Sequence, residues 1–202
     1  LADSLPLYLG TVLILSLLLL MVVFRSIAVP LVASIGFLLS VFAALGSVTA
    51  VFQWGWLGSV FDVHDPGPIL AFLPTLVIGI LFGLAMDYQL FLVSGMREAY
   101  VHGKSAQDSV NYGIHLSRQV VVAAAIIMIS VFGSFAFSEQ VMLRAVGFGL
   151  AIGVLLDAFL VRLLFVPAVM TLLGERAWWL PRWLDRILPN VDVEGEQLDV
   201  TR

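Results

Sequence analysis

The sequence predicts an all-α integral membrane protein, a bundle of five transmembrane helices with the N-terminus outside and the C-terminus in the cytoplasm. Its composition excludes a soluble domain of this size, because 61% of the residues are hydrophobic and only 12% are charged. Mean hydropathy is +1.06. Five apolar runs approach or exceed the ~20 residues that a transmembrane helix needs. Lysine and arginine fall almost entirely on one predicted side of the membrane.

The first two spans are predicted at 7–24 and 28–52. The first is leucine-rich and hydrophobic all round, which is typical of a helix facing lipid. Pro30 stands at the start of the second span, where a helix tolerates proline. Trp54 and Trp56 then open a loop rich in glycine and proline, and tryptophan there favours the membrane interface.

The third span, at 69–96, carries one carboxylate in its interior, Asp87. Such a group costs at least ~2.5 kcal/mol to insert, so it is usually retained for function and faces protein or water. Gly79, Gly83 and Asp87 follow one another at intervals of four residues. They therefore share a face with room for another helix to pack.

The last two spans are predicted at 120–137 and 143–173, which completes a membrane domain over 1–174. A separate short surface helix is predicted from Ser105 to Leu116, since Ser105 and Asp108 resemble a capping box. Segment 175–190 mixes tryptophan with arginine and is predicted to lie at the cytoplasmic interface, with its tryptophans as anchors. The acidic tail 191–202 is predicted to be disordered.

The fifth span repeats the spacing of the third, with Gly149, Gly153 and Asp157 at intervals of four. Arg162 follows Asp157 by five residues, which in an α-helix places the two side chains well apart around the axis. We therefore expect them to be poor partners for each other, and each to pair with a neighbouring helix.

The orientation follows from the ten basic residues. With the N-terminus outside, nine of them lie on the cytoplasmic side and only Arg144 lies outside. The three histidines lack the spacing of metal ligands and the chain has no cysteine, so no metal site is predicted. No nucleic-acid partner is predicted either.

Each of these features also has a purely structural interpretation. Small residues at this spacing often serve only helix packing, and one intramembrane Asp can hydrogen-bond to a neighbouring helix. Arg162 can extend to the inner headgroups. Two acids with the same surroundings, Asp87 and Asp157, nevertheless favour a functional site, because intramembrane charges are costly.

Four stretches together resemble the mycobacterial-membrane-protein-large (MMPL) family, a branch of the resistance-nodulation-division (RND) superfamily of proton-driven exporters. They are GLAMDYQLFLVSGMRE, AAAIIMISVFGSFAF, GFGLAIGVLLDAFLVRLLFVPAVMTLLG and WWLPRWLDR. The resemblance covers about 7–189. It implies that this chain, which begins outside and without methionine, is the C-terminal half of the membrane domain, with an N-terminal half and two porter domains elsewhere in the parent protein.

The resemblance also implies roles for particular residues. Asp87 and Tyr88 match the family's proton relay, and Asp157 and Arg162 match charged residues of its last helix, so the relay is predicted to include all four. The implied protein is a secondary active transporter in the cell membrane, not an enzyme, driven by a proton gradient without a cofactor and carrying lipid or other hydrophobic cargo. One departure concerns Val122, where the family often has threonine.

Three alternatives stay open at this stage. A protein-secretion factor of the same superfamily would share the architecture and the use of protons. A structural or assembly subunit would need no titrating acid. An intramembrane aspartyl hydrolase would need its two acids to face each other at catalytic distance.

The predicted orientation can be tested by cysteine labelling in a chain that has no cysteine of its own. A cysteine introduced at Ser59 should react with an impermeant thiol reagent applied outside, and one introduced at Ser105 should not, because positive charge marks the cytoplasmic side. Labelling at both positions, or only at 105, would reverse the assignment.

Overall fold

The computed structural model describes residues 5–56, 60, 72–181 and 184, and within these ranges the chain forms five long helices. All five are long and apolar enough to cross a membrane, which confirms the predicted five-span, all-helical bundle. Most of the loop between the second and third helices, and the tail at 191–202, lie outside the described ranges. In order the helices are α1 (Leu5–Phe24), α2 (Ala28–Gln53), α3 (Leu73–Val101), α4 (Ala106–Phe135) and α5 (Val141–Trp178).

Two of the helices change their winding. The last residues of α2, Thr49–Gln53, form a π-helix. Within α5 the chain is π-helical over Leu156–Phe165, α-helical again over Val166–Leu173, and ends in a 3-10 turn at Gly174–Trp178. The hydrogen bonds of a π-helix join residues five apart, so residues at that spacing come to lie near one another.

The helices pack in a ring of neighbours, α3 on α4, α4 on α5 and α5 on α2, and α3 also contacts α2 and α5. Helix α1 lies against α2 and α3 at the edge of this arrangement. Only 17% of the apolar window of α1 is buried, compared with 56% for α2. The leucine-rich α1 therefore presents most of its surface to lipid.

Helix α4 is continuous from Ala106, so the break expected between a surface helix and the fourth span is absent. The predicted cap does form, since the Ser105 hydroxyl accepts from the Asp108 backbone N–H at 3.1 Å. Gly113 does not interrupt the helix because it is buried against α3. The 30 residues of α4 span about 45 Å, which is more than the ~30 Å thickness of the hydrocarbon core.

The 3-10 turn at the end of α5 packs into the bundle. The Trp178 ring stacks on Tyr100 of α3 at a centroid distance of 5.3 Å and is only 7% exposed. The Tyr100 hydroxyl donates to Glu175 Oε2, and Ser26, in the turn between α1 and α2, donates to the Ala177 carbonyl, both at 2.5 Å. Trp178 thus packs within the protein, whereas Trp179 beside it is 61% exposed, and the interfacial position of this segment stays a prediction.

The close contact at Gly113 makes a stability prediction. A Cβ at this position would lie 2.8 Å from the Met96 backbone nitrogen and 3.0 Å from the Leu92 carbonyl oxygen. Gly113→Ala should therefore separate α3 from α4 and cost about 1–3 kcal/mol, as overpacking typically does. Thermal unfolding of the purified protein in detergent would measure the loss.

Gly133 provides the matched control in the same helix, because no described atom lies within 4 Å of a Cβ built there. Gly133→Ala should leave stability unchanged or raise it by up to ~1 kcal/mol, since alanine is the better helix former. Equal melting of the two variants would contradict the packing argument.

Candidate functional site

A buried ion pair lies inside the π-helical part of α5. Arg162 Nε donates to Asp157 Oδ2 at 3.1 Å. The Arg162 residue is fully buried and Asp157 is 3% exposed, so water and lipid headgroups do not screen the pair. Arg162 therefore does not extend to the membrane surface, which was the structural alternative for this residue.

The expectation that Asp157 and Arg162 are poor partners within one helix is wrong. It assumed α-helical winding, in which residues five apart point in different directions. The segment is π-helical instead, and its buried residues are Asp157, Ala158, Val161 and Arg162. The wider turn aligns positions 157 and 162 on the buried face, which lets one helix supply both charges.

Helix α2 adds a hydroxyl to the pair. Ser40 Oγ lies 3.1 Å from Asp157 Oδ1, to which it donates, and 3.2 Å from the Gly36 carbonyl of its own helix. The two helices approach closely because residue 36 has no side chain, and a Cβ there would collide with Val161. Each carboxylate oxygen of Asp157 thus has a donor, one from α2 and one from its own helix.

Helix α3 adds an amide on the other side of Arg162. Gln89 is fully buried, and its Oε1 accepts a hydrogen bond from Arg162 Nη1. The guanidinium therefore joins α3 to α5, with Asp157 and Gln89 as its two acceptors. Gln89 Nε2 and Arg162 Nη2 are buried as well, and neither has a hydrogen-bond partner in the described part of the chain.

Asp87 lies apart from this network. It is exposed midway along α3, on the open face that also carries Gly83 and Phe91. Gln89 is two residues further on, so it points about 200° away from Asp87 around the helix axis. The two acids that repeat the same sequence surroundings thus have different environments, one on an open face and one within a network.

Tyr88 lies between these two environments. It is 7% exposed, and its hydroxyl is buried without a hydrogen-bond partner among the residues that the structure describes. The charges of Asp157, Asp87 and Arg162 all act on this hydroxyl. Tyr88 thus lies in electrostatic range of both acids.

The four glycines predicted to pack around the relay have unequal surroundings. A Cβ on Gly149 would lie 2.7 Å from Val48, and one on Gly153 would lie 2.7 Å from Leu81. A Cβ on Gly79 would lie 2.9 Å from the Tyr8 hydroxyl, but one on Gly83 would meet no described atom within 4 Å. A packing role for Gly83 stays a prediction about a surface that this chain leaves open.

Sequence reasoning missed Ser40 and Gln89. Both are uncharged polar residues in apolar runs, and such residues usually satisfy themselves locally or on a neighbouring helix. Ser47, Ser94 and Ser130, for example, bond to backbone carbonyls of their own helices. The one available signal was that Gln89, unlike serine, is too long and polar to be common inside a span. Metal binding has no support in the described residues, which contain no suitable group of three ligands.

Comparison with known proteins places this arrangement in a family. The model of the MMPL family matches residues 3–190. Membrane protein YdfJ of Bacillus subtilis is 50% identical over 97% of this chain and 27% of its own length. The mycolic acid-containing lipids exporter MmpL11 of Mycolicibacterium smegmatis is 40% identical, over 94% of this chain and 20% of its own length.

The MmpL11 of Mycobacterium tuberculosis strain H37Rv is described as a heme uptake protein, and it too is 40% identical, over 94% of this chain and 20% of its own length. The chain thus spans about a quarter or less of the curated relatives it matches. Its five apolar helices and these relatives identify a multi-pass protein of the cell membrane. By the match over 3–190, the chain belongs to the MMPL family of the RND superfamily.

Proposed function

We propose that this chain forms part of the membrane domain of a proton-driven exporter of lipids or other hydrophobic molecules, with Asp87 and Tyr88 as its proton relay. The observation that carries the proposal is the position of Asp87, an exposed carboxylate midway along an apolar helix. A charge facing hydrocarbon there costs at least ~2.5 kcal/mol. In the assembled transporter this face therefore meets protein or water.

The rest of the transporter supplies that partner. The relatives are about four to five times longer than the matched region, which supports a parent protein that extends well beyond this chain. The open face with Gly83 and Asp87 is where a helix of the other half would pack. Tyr88, whose hydroxyl is buried without a partner among the described residues, would have to turn toward that face to share the proton with Asp87.

Protonation gives Asp87 two states with different packing. The ionised form attracts a donor or cation on the facing helix, whereas the neutral form loses that attraction and its desolvation cost. A proton entering from outside gains ~2.3 kcal/mol per 100 mV of membrane potential. Alternation between the two packings would drive the porter domains, and the proton direction rests on the predicted orientation.

The cargo class is proposed from the relatives. One MmpL11 is named for mycolic acid-containing lipids and the other for heme, both of which are large hydrophobic molecules. An aspartyl hydrolase is disfavoured, because Asp157 is occupied by Arg162 and Ser40. The described residues offer no observation that favours a secretion factor or an assembly subunit.

The relay is tested by Asp87→Asn in the full-length parent. Asparagine keeps the size and hydrogen-bonding reach of aspartate but does not titrate, so proton-gradient-dependent export into vesicles should be abolished. The amount of protein in the membrane should be unchanged, since a neutral amide is cheaper to insert. Glu139→Gln, at an exposed acid in the turn before α5, is the control and should export normally. Normal export by Asp87→Asn would refute the proposed relay.

The ion pair is tested by Arg162→Leu, which leaves Asp157 buried without its cation. Breaking a buried pair in this way typically costs ~3–5 kcal/mol, so export should fall by at least tenfold. The double variant Asp157→Asn with Arg162→Leu removes both charges and should recover membrane levels but not export. Arg118→Leu, at an exposed arginine of α4, is the matched control. Full export by Arg162→Leu would remove the pair from the mechanism.

A further inference from the structure

We propose that Gln89 is a positioning residue that connects α3, the helix of Asp87, to the Asp157–Arg162 pair. The inference rests on the proposed function for its significance, because Asp87 matters only if it relays protons. It concerns a residue outside the proposed relay, on the opposite face of the same helix. Its content is mechanical: a change of charge at Asp157 reaches α3 through Arg162 and Gln89.

The contact is a side-chain hydrogen bond between α3 and α5 that lies away from the Tyr100–Glu175 bond at the end of α5. The guanidinium of Arg162 donates a hydrogen bond from its Nε–H to Asp157 and one from its Nη1–H to Gln89. A guanidinium is planar and rigid, so the direction of one bond fixes the direction of the other. If Asp157 turns neutral, Arg162 loses its ion pair and the acceptor on α3 moves with it.

Burial makes the contact hard to replace. Gln89 and Arg162 are both fully buried, so water does not substitute for the amide oxygen when the two separate. The aliphatic contacts between helices are not directional and permit sliding. The hydrogen bond is directional, and it therefore sets where α3 stands relative to α5.

The amide of Gln89 is also neutral, so it adds no charge to the Asp157–Arg162 pair. Arg162 and Asp157 balance each other, and the other polar groups facing Asp157 are the hydroxyl of Ser40 from α2 and, at longer range, Tyr88 from α3. A carboxylate at position 89 would place two acids around one guanidinium, and one of them would then hold a proton. Glutamine supplies the acceptor oxygen without that competition.

Helix α3 carries the signal onward. Asp87 and Gln89 are two residues apart in an unbroken helix of 29 residues, so they move together. Ser94 lies on the Asp87 side of the same helix, and its hydroxyl bonds only to backbone carbonyls within α3. A cysteine at position 94 is therefore a reporter of α3 that leaves the network intact.

The experiment measures the rate at which a small thiol reagent modifies Ser94→Cys in the full-length parent, freed of any other cysteine, in native membranes. Asp157→Asn imitates the protonated acid and should change this rate about fivefold or more, the lower end of typical coupling between sites. Gln89→Met, similar in size but without the acceptor oxygen, should abolish that response. Gln119→Met, at an exposed glutamine of α4, should preserve it.

Two results would overturn the inference: an Asp157→Asn response of equal size with methionine at 89, or no response with Gln89 present. If Gln89→Met does not accumulate, Gln89→Asn replaces it, because its shorter amide does not reach Arg162, and a full response there would equally refute the connection. Labelling does not depend on export. A transporter that proves not to be proton-driven would therefore refute the proposed function and leave the labelling result standing.

Discussion

A fully buried guanidinium has to find its hydrogen-bond acceptors inside the protein, and at Arg162 this requirement organises three helices. The carboxylate of Asp157 comes from the same helix and the amide of Gln89 comes from α3. Ser40 of α2 donates a hydrogen bond to the second oxygen of that carboxylate. Other features follow from it. Helix α5 is π-helical where the pair forms, and α2 has glycine at position 36, where the two helices approach.

The buried pair also gives meaning to the difference between the two acids. Asp157 has its counter-charge, Arg162, within the chain. Asp87 has no such partner among the described residues, and under the proposed function its energetic cost in hydrocarbon is met by the rest of the transporter. Of these two acids, one is thus paired with a cation among the described residues and the other is not, with Tyr88 between them.

The sequence was sufficient for the number and type of the spans, because apolar length and composition alone determine what crosses a bilayer. It was sufficient also to single out Asp87, Asp157 and Arg162, since any charge in such a run is conspicuous. It could not predict how Asp157 and Arg162 relate. That relation depends on π-helical winding, whereas helical-wheel reasoning assumes 3.6 residues per turn.

The contacts of Gln89, Ser40 and Trp178 could not be predicted for a different reason. Each acquires its role only from a residue far away in the chain: Arg162 for Gln89, Asp157 for Ser40, and Tyr100 for Trp178. No local pattern distinguishes a serine that bonds to its own helix from one that crosses to another. Likewise, a tryptophan near arginine predicts an interfacial anchor, but the sequence around it does not predict the ring on which it stacks.

The 3-10 turn at the end of α5 bears on which end of the bundle is free to move. At that end the chain is tied by directional bonds, from Ser26 to Ala177 and from Tyr100 to Glu175. At the opposite end α2 contacts α5 through an aromatic pair, Phe52 and Phe148, whose ring centroids lie 5.8 Å apart, and such a contact tolerates sliding. Under the proposed transport cycle, relative motion of the helices would therefore be smallest at the tied end. Larger displacements would then occur at the opposite end, on the side where the predicted orientation and the proposed function together put extracytoplasmic domains.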